Sequence, residues 1–270
     1  MDFSEISRRG LVMLGCGKMG SAMLEGWLKG GLAPAAVHVI DPQPSDWLCA
    51  QGVHLNAPLP ESPAVLIIAV KPQVMQAALP QVSRLGDGAT LILSVAAGTP
   101  LARFEAAFGP RARVIRAMPN TPAAIGKAIT AIIGNAIATP GDLSMAEGLL
   151  SAVGQVVRLS DEDQIDAVTG LSGSGPAYVF FLIDALAAAG QAEGLPPELA
   201  MALARATVAG AGALAEQAAE TPEQLRRNVT SPNGTTQAGL GVLMDAQTGL
   251  MPLMRATVAA ATARSRELKG

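Results

Sequence analysis

The run Gly15-Cys16-Gly17-Lys18-Met19-Gly20 has the residue types and spacing to cradle a pyrophosphate. The first glycine turns the chain, the second lets phosphate oxygens approach the main chain, and the third lets a helix lie close to a strand. A helix starting there offers unpaired N–H groups and a partial positive charge at its N-terminus. Asp41 lies 21 residues beyond Gly20, after the apolar run Val37-His38-Val39-Ile40. A carboxylate about 20 residues on, at the tip of a second strand, is placed to accept both ribose hydroxyls of a dinucleotide and would repel a 2′-phosphate. No arginine stands between Arg9 and Arg84 to attract such a phosphate, so the pattern leans toward NADH over NADPH. The structural alternatives are an ordinary glycine loop and a simple Asp41-Pro42 turn. Hydride transfer is the chemistry these residues suggest.

A second cluster has the means to hold a small acid. Asn228-Val229-Thr230-Ser231-Pro232-Asn233-Gly234-Thr235-Thr236 joins one helical stretch to the next. Its serine and threonines offer hydroxyls, and Asn233-Gly234 permits a left-handed turn that aims successive N–H groups at one point. With the next helix N-terminus this makes an uncharged pocket for a carboxylate, or, more simply, a capped helix–helix turn. Leu171-Ser172-Gly173-Ser174-Gly175-Pro176-Ala177-Tyr178 is also unusual, because its glycines allow close approach of a ligand or of another helix.

What is missing narrows the reaction. Past Lys127 the only lysine is Lys269, the second half has no histidine or cysteine, and its single tyrosine, Tyr178, is followed four residues on by Leu182. Carbonyl reduction calls for an acid, usually His, Lys or Tyr, to protonate the forming alkoxide. A cyclic imine needs less, because its nitrogen takes up a proton in water before binding. The protein then mainly positions two reactants, and one hydroxyl donor suffices.

These residues must be held by a scaffold. Apolar runs at 11–14, 37–40, 64–70, 90–95, 114–118, 129–133 and 155–159 alternate with helical stretches, which predicts an α/β, Rossmann-like doubly wound parallel sheet. Thr99-Pro100 is expected to cap a helix, and a further helix is expected near 142–152. After Ser160 strand-like runs vanish. Helices are expected near 163–169, 176–193, 197–219, 222–228, 236–245 and 252–268, with Thr221-Pro222-Glu223-Gln224 as a capping box. The division is a dinucleotide-binding domain, residues 1–160, and an all-helical domain, residues 161–270, for substrate and dimerisation. Small residues such as Gly210 and Gly212 suit close helix packing, within the chain or against a second subunit.

Composition excludes other classes. Half of the 270 residues are apolar, only 3% are aromatic and 15% charged, so an apolar subunit interface is expected. A net charge of −3 offers no basic face for nucleic acid. Two cysteines and two scattered histidines, His38 and His54, make neither a disulfide framework nor a metal site, and they fit a reducing compartment. The first ten residues are polar and mixed in charge, and the apolar stretch 177–189 is short for a bilayer and contains Asp184. A cytoplasmic protein without a membrane partner is expected.

The chain resembles the pyrroline-5-carboxylate reductase family from about Leu11 to Leu268. The resemblance is carried by 15–20, Val70-Lys71-Pro72-Gln73, Ser94-Val95-Ala96-Ala97-Gly98, Arg116-Ala117-Met118-Pro119-Asn120-Thr121-Pro122, 166–178 and Ser231-Pro232-Asn233-Gly234-Thr235-Thr236. It implies reduction of Δ1-pyrroline-5-carboxylate to L-proline by NAD(P)H, the last step of proline synthesis. It also implies a homodimer with interlocked helical domains, which family members often extend to rings of dimers. Gly15, Gly17, Lys18, Met19 and Gly20 of the glycine turn are expected to hold the cofactor, with Asp41 placed there by its spacing, and by motif position Val70, Lys71 and Pro72 line it. Ala96 and Ala97 lie near the nicotinamide and Asn228 reaches the cofactor. Ser231, Gly234, Thr235 and Thr236 hold the substrate, with Thr236 hydrogen-bonding the imine nitrogen as the catalytic residue. Two positions depart from the family. Asn233 stands where a glycine is usual, and Asp41 stands where many NADPH-using relatives carry a small polar residue. A two-domain hydroxyacid or ketoacid dehydrogenase and a nucleotide sensor without catalysis are the competing readings. The missing lysine argues against the first and the Ser231–Thr236 loop against the second.

Overall fold

A computed structural model describes residues 2–268. The chain divides into two compact units, one running to Gly173 and resuming at Thr262, the other spanning Ser174–Ala261.

The first unit is built on one eight-stranded sheet. Its strands are β1 (Leu11–Leu14), β2 (Val37–Ile40), β3 (His54–Leu55), β4 (Val65–Ile68), β5 (Leu91–Ser94), β6 (Arg113–Met118), β7 (Ala128–Gly134) and β8 (Gly154–Arg158). Their order is β3-β2-β1-β4-β5-β6-β7-β8. The chain order reverses between β1 and β4, the switch point at which such sheets bind nucleotides. Helices α1 (Ser4–Arg9), α2 (Lys18–Lys29), α3 (Asp46–Cys49), α4 (Met75–Ala78), α5 (Leu101–Phe108), α6 (Pro140–Leu150) and α7 (Gln164–Val168) complete the unit with short 3-10 turns.

Both faces of the sheet are covered, which is why its central strands read as unbroken apolar runs. Met13, Val39, Ile67, Leu93 and Ala117 point to one face, with Met23, Leu24 and Trp27 of α2 and Leu149 and Leu150 of α6. Leu14, Leu66, Ile68, Ile92 and Val114 point to the other, with Met75 of α4 and Phe104 and Phe108 of α5. Each fully buried Val, Leu, Ile, Met or Phe side chain among them contributes about 1.5–3 kcal/mol. The Trp27 indole N–H is satisfied by the Leu149 carbonyl at 2.7 Å.

Four local expectations are corrected. β7 runs antiparallel to β6, unlike every other pair. The link 119–127 holds only the 3-10 turn Thr121–Ile125 and left-handed Gly126, whereas a parallel return needs a crossover of about a dozen residues or more. Thr99 does not cap α5, whose N-cap is Pro100. Its first N–H donates instead to Glu162 Oε1 at 2.9 Å. The helix expected near 142–152 starts at Pro140, because Thr139 and Asp142 form a reciprocal capping box. At Thr221 only half the box forms. The threonine accepts from the Gln224 N–H, while the Gln224 amide turns to Asn228.

The second unit contains α8 (Gly175–Ala192), α9 (Pro197–Gln217), α10 (Pro222–Asn228), α11 (Thr235–Leu243) and the start of α12 (Leu250–Glu267). α8 and α9 pack through small residues. A Cβ at Gly190 would meet Ala200 Cβ at 3.4 Å, and Ala187, Ala200 and Ala204 are buried. Gly210, Gly212, Gly239 and Gly241 have nothing within 4 Å of a Cβ position, and Phe180, Phe181, Leu214 and Val242 are exposed. The stretches Gln164–Ala192 and Pro197–Gln217 are long and apolar enough to cross a membrane by length and composition, which the shorter sequence window 177–189 does not show.

Candidate active site

The turn after β1 uses its three glycines for three different reasons. Gly15 has φ +84°, and a Cβ there would lie 2.7 Å from Val70 Cγ1 and 3.1 Å from the Ala69 carbonyl oxygen. A Cβ on Gly20 would lie 3.1 Å from the Gly15 carbonyl oxygen and 3.4 Å from Met13 Sδ, so this glycine lets α2 sit down on β1. A Cβ on Gly17 would meet nothing within 4 Å. Protein packing therefore does not demand a glycine at 17, and the open space leaves the main chain there accessible. Gly17 is the N-cap of α2, whose first turn, Lys18 onward, has neither a side-chain cap nor an acidic residue. Its orphan N–H groups remain available to an anion.

The turn is held from two sides. The Cys16 N–H donates to Asp41 Oδ2 at 2.8 Å, and the Ser21 hydroxyl donates to the Cys16 carbonyl at 3.0 Å. Asp41 Oδ1 accepts from the Gln43 N–H at 2.9 Å. Both carboxylate oxygens thus take one main-chain donor each, and each oxygen keeps a lone pair for a further one. The Asp-Pro turn and the ribose contact are therefore compatible. Burial pushes the Cys16 thiol up in pKa, against a lesser lowering by its Ser21 contact and with a still smaller push from the Asp41 charge, so it stays a protonated packing group.

Val70, Lys71 and Pro72 follow the carboxyl end of β4, which flanks the switch point, and Ala96 and Ala97 follow that of β5, the next strand. Main-chain pairing carries past the strand ends, with Gly15 N–H to the Ile40 carbonyl, Ala69 N–H to Leu14 and Val95 N–H to Ile68. Lys71 is the exposed N-cap of the turn Pro72–Val74. Ala96 is buried, its N–H donating to Ser94 Oγ at 3.3 Å, while Ala97 is exposed. Gly15, Gly17, Lys18, Met19, Gly20, Asp41, Val70, Lys71, Pro72, Ala96 and Ala97 accordingly share one edge of one unit, and they fit a dinucleotide.

The remaining candidates belong to the other unit. Asn233 has φ +59°, a conformation asparagine tolerates better than most residues. The loop keeps a tight turn, with Gly234 N–H donating to the Ser231 carbonyl at 3.1 Å and Asn233 N–H to Gln237 Oε1 at 2.6 Å. Gly234 is the N-cap of α11 and, as at Gly17, there is no side-chain cap and no acid in the first turn. The hydroxyls of Ser231, Thr235 and Thr236 make no hydrogen bond among the described residues, whereas that of Thr230 turns back to the Arg226 carbonyl. Asn228 ends α10, its side-chain oxygen accepting from Gln224 Nε2 at 2.7 Å. This loop offers neutral main-chain and hydroxyl donors and no charged side chain between Ser231 and Thr236.

Three features escaped the sequence reading. Asn56 clasps the main chain of Asp41. Arg116, 2% exposed, pairs with Glu162 at 2.6 Å beside the start of α5. Thr169–Gly173 forms a π-turn, whose Ser172 carbonyl accepts from Asn120 Nδ2 at 3.1 Å. The close approach expected at Gly173 is to Met118, whose Cε lies 2.7 Å from a Cβ position there.

Comparison with known proteins adds to this geometry. A family described as pyrroline-5-carboxylate reductase dimerisation matches residues 162–268, and one described as NADP oxidoreductase coenzyme F420-dependent matches 11–98. A pyrroline-5-carboxylate reductase of Methanosarcina acetivorans is 38% identical over 262 residues, 94% of this chain and 96% of the relative. The structure of a pyrroline-5-carboxylate reductase from Coxiella burnetii superposes with TM-score 0.90 at 31% identity, over 97% of this chain and 99% of the other. That of Plasmodium falciparum pyrroline carboxylate reductase with NADP bound gives 0.81 at 24% identity, over 98% and 99%, and shares the fold.

Proposed function

This chain belongs to the pyrroline-5-carboxylate reductase family, and on that premise we propose which of its residues carry the reaction. It is an oxidoreductase that reduces Δ1-pyrroline-5-carboxylate to L-proline with NAD(P)H, the last step of proline biosynthesis. When bound, the dinucleotide supplies a hydride to the imine carbon.

Gly15, Gly17, Lys18, Met19 and Gly20 hold the pyrophosphate against the α2 N-terminus. Val70, Lys71 and Pro72 line the cofactor, Ala96 and Ala97 bound the nicotinamide end, and Asn228 reaches the cofactor from the helical unit. Ser231, Gly234 and Thr235 hold the substrate carboxylate with main-chain and hydroxyl donors at the start of α11. The Thr236 hydroxyl orients the imine nitrogen. That nitrogen enters protonated, so hydride addition to carbon neutralises the cation and leaves the amine, and no side chain has to supply a proton. This matches a helical domain in which Lys269 is the sole lysine and histidine is absent. The open space at Gly17, where protein packing asks for no glycine, is the single observation that most supports the cofactor half of this reading.

Asp41 selects NADH over NADPH in this proposal, because its carboxylate stands at the tip of β2 beside the glycine turn. The protein is a homo-oligomer. Its partner copy interlocks through the helical domains, supported by the open glycines and exposed Phe180 and Phe181 of the second unit, and such dimers close into a ring. The apolar helices then serve subunit contact rather than a bilayer, and the protein works in the cytoplasm, where its free cysteines stay reduced. Mixing protein, Δ1-pyrroline-5-carboxylate and NADH or NADPH and following nicotinamide absorbance tests the reading. Oxidation of the coenzyme with proline as product is expected. A flat trace with both coenzymes overturns it.

A further inference from the structure

Asn56 is one of two non-glycine residues with positive φ among the described residues, at +50°. Its side chain closes a ring with the main-chain N–H and carbonyl of a single residue, Asp41. The Asp41 N–H donates to Asn56 Oδ1 at 3.0 Å, and Asn56 Nδ2 donates to the Asp41 carbonyl at 2.9 Å. The Asn56 N–H donates to the Val39 carbonyl at 2.8 Å, tying it to the same strand two residues earlier. Asn56 directly follows β3, a two-residue edge strand. That strand is held by a stack of His54 on His38, in register across β2 and β3, with ring centroids 4.4 Å apart and planes 19° apart. Strand β3 is therefore less an extension of the sheet than a bracket that delivers one carboxamide to Asp41.

We propose that Asn56 is a positioning residue for coenzyme choice, its carboxamide fixing the Asp41 main chain so that the carboxylate stays at the Cys16 N–H. A carboxylate held there meets the ribose hydroxyls with its free lone pairs and stands against a 2′-phosphate. Once the main chain at Asp41 is released, the carboxylate can swing toward solvent, losing contacts to NADH and relieving its repulsion of NADPH. Discrimination depends on the difference between those two states, so it falls even though Asp41 itself is unchanged. This inference rests on the reading of Asp41 as the residue that selects NADH.

Asn56→Gly isolates the amide, because glycine adopts φ near +50° without strain. Asn56→Asp keeps an acceptor for the Asp41 N–H but loses the donor and adds a like charge. The experiment measures kcat/KM of the assembled enzyme for NADH and for NADPH in wild type, Asn56→Gly, Asn56→Asp and Asp41→Ser, with thermal melts of each. The NADH-to-NADPH ratio is expected to fall by about three- to tenfold in Asn56→Gly, the range for losing one ordinary hydrogen bond. The shift should be carried mainly by the KM for NADH, with a smaller fall in Asn56→Asp. In the Asp41→Ser background, Asn56→Gly should leave the ratio where Asp41→Ser put it. A ratio that moves in Asp41→Ser and stays at the wild-type value in Asn56→Gly overturns the positioning role alone. A ratio unmoved by Asp41→Ser overturns the reading of Asp41, and the positioning role with it. A merely structural Asn56 would lower the melting temperature and both kcat/KM values together.

Discussion

Replacing Arg116 by methionine removes a guanidinium that is 2% exposed from beside Glu162, whose side chain is 26% exposed. Breaking a buried ion pair by deleting one partner costs about 3–5 kcal/mol. Glu162 retains the Leu101 N–H and some access to water, so Arg116→Met belongs near the lower end, about 3 kcal/mol. For a chain of this size that corresponds to a fall in Tm of about 6–12 °C. Glu162→Gln should be worse, near about 4–5 kcal/mol, because it strands the charge that water cannot reach. The double variant Arg116→Met/Glu162→Gln leaves no unpaired charge, and its glutamine still accepts from the start of α5. It should recover most of the loss, since apolar replacements of a whole buried pair are often neutral. Thermal and urea unfolding at one fixed protein concentration measure all four species, the concentration being held because oligomerisation shifts apparent stability. If Glu162→Gln melts with wild type, or the double variant is no better than the worse single, the pair is not the anchor of this corner.

Thr236→Ala should lower kcat while coenzyme affinity is largely kept, and Thr236→Ser should recover much of the loss; unchanged turnover in Thr236→Ala removes the hydroxyl from the mechanism. Gly17→Ala and Gly15→Ala should part company. The first, with 4 Å of open space around its Cβ, keeps its Tm and loses NADH affinity by titration, whereas the second, strained at φ +84°, also loses stability, by about 1–3 kcal/mol. Burial first and the neighbouring His54 second lower the pKa of His38. The unfolded chain therefore binds a proton that the folded one refuses. The stability contributed by neutral His38 is present above about pH 6.5 and is lost as pH falls from there through its lower folded value. His54→Gln should flatten this acid-side fall in a Tm series from about pH 7.5 to 5, and an unaltered slope would count against the histidine pair.

The cofactor edge was legible because its signals are local. Glycine spacing, an apolar run ending at Asp41, and runs ending at Val70 and Val95 each mark the carboxyl end of a strand. The loop at Asn233 was legible for the same reason, since asparagine in a tight turn anticipates the φ of +59°. What was missed depends on partners far apart in the chain. Glu162 displaces Thr99 as the α5 cap from 61 residues beyond Leu101. Strand β3 has two residues and no periodicity, and it pairs with β2 where the rings of His38 and His54 stack. The direction of β7 could have been read, because the link 119–127 is too short for a parallel return.

Two seams separate the units, one at 173/174 and one at 261/262. On the sheet side of both, Ser265 donates to buried Asp166 at 2.9 Å, closing the chain 99 residues apart. The helical unit is therefore an insert, not an appendage. A chimera between relatives joined once at residue 173 would marry one parent's Asp166 to the other's residue 265, and a junction at 160 would do the same to Arg116 and Glu162. Exchange of the insert between relatives therefore needs both seams cut together.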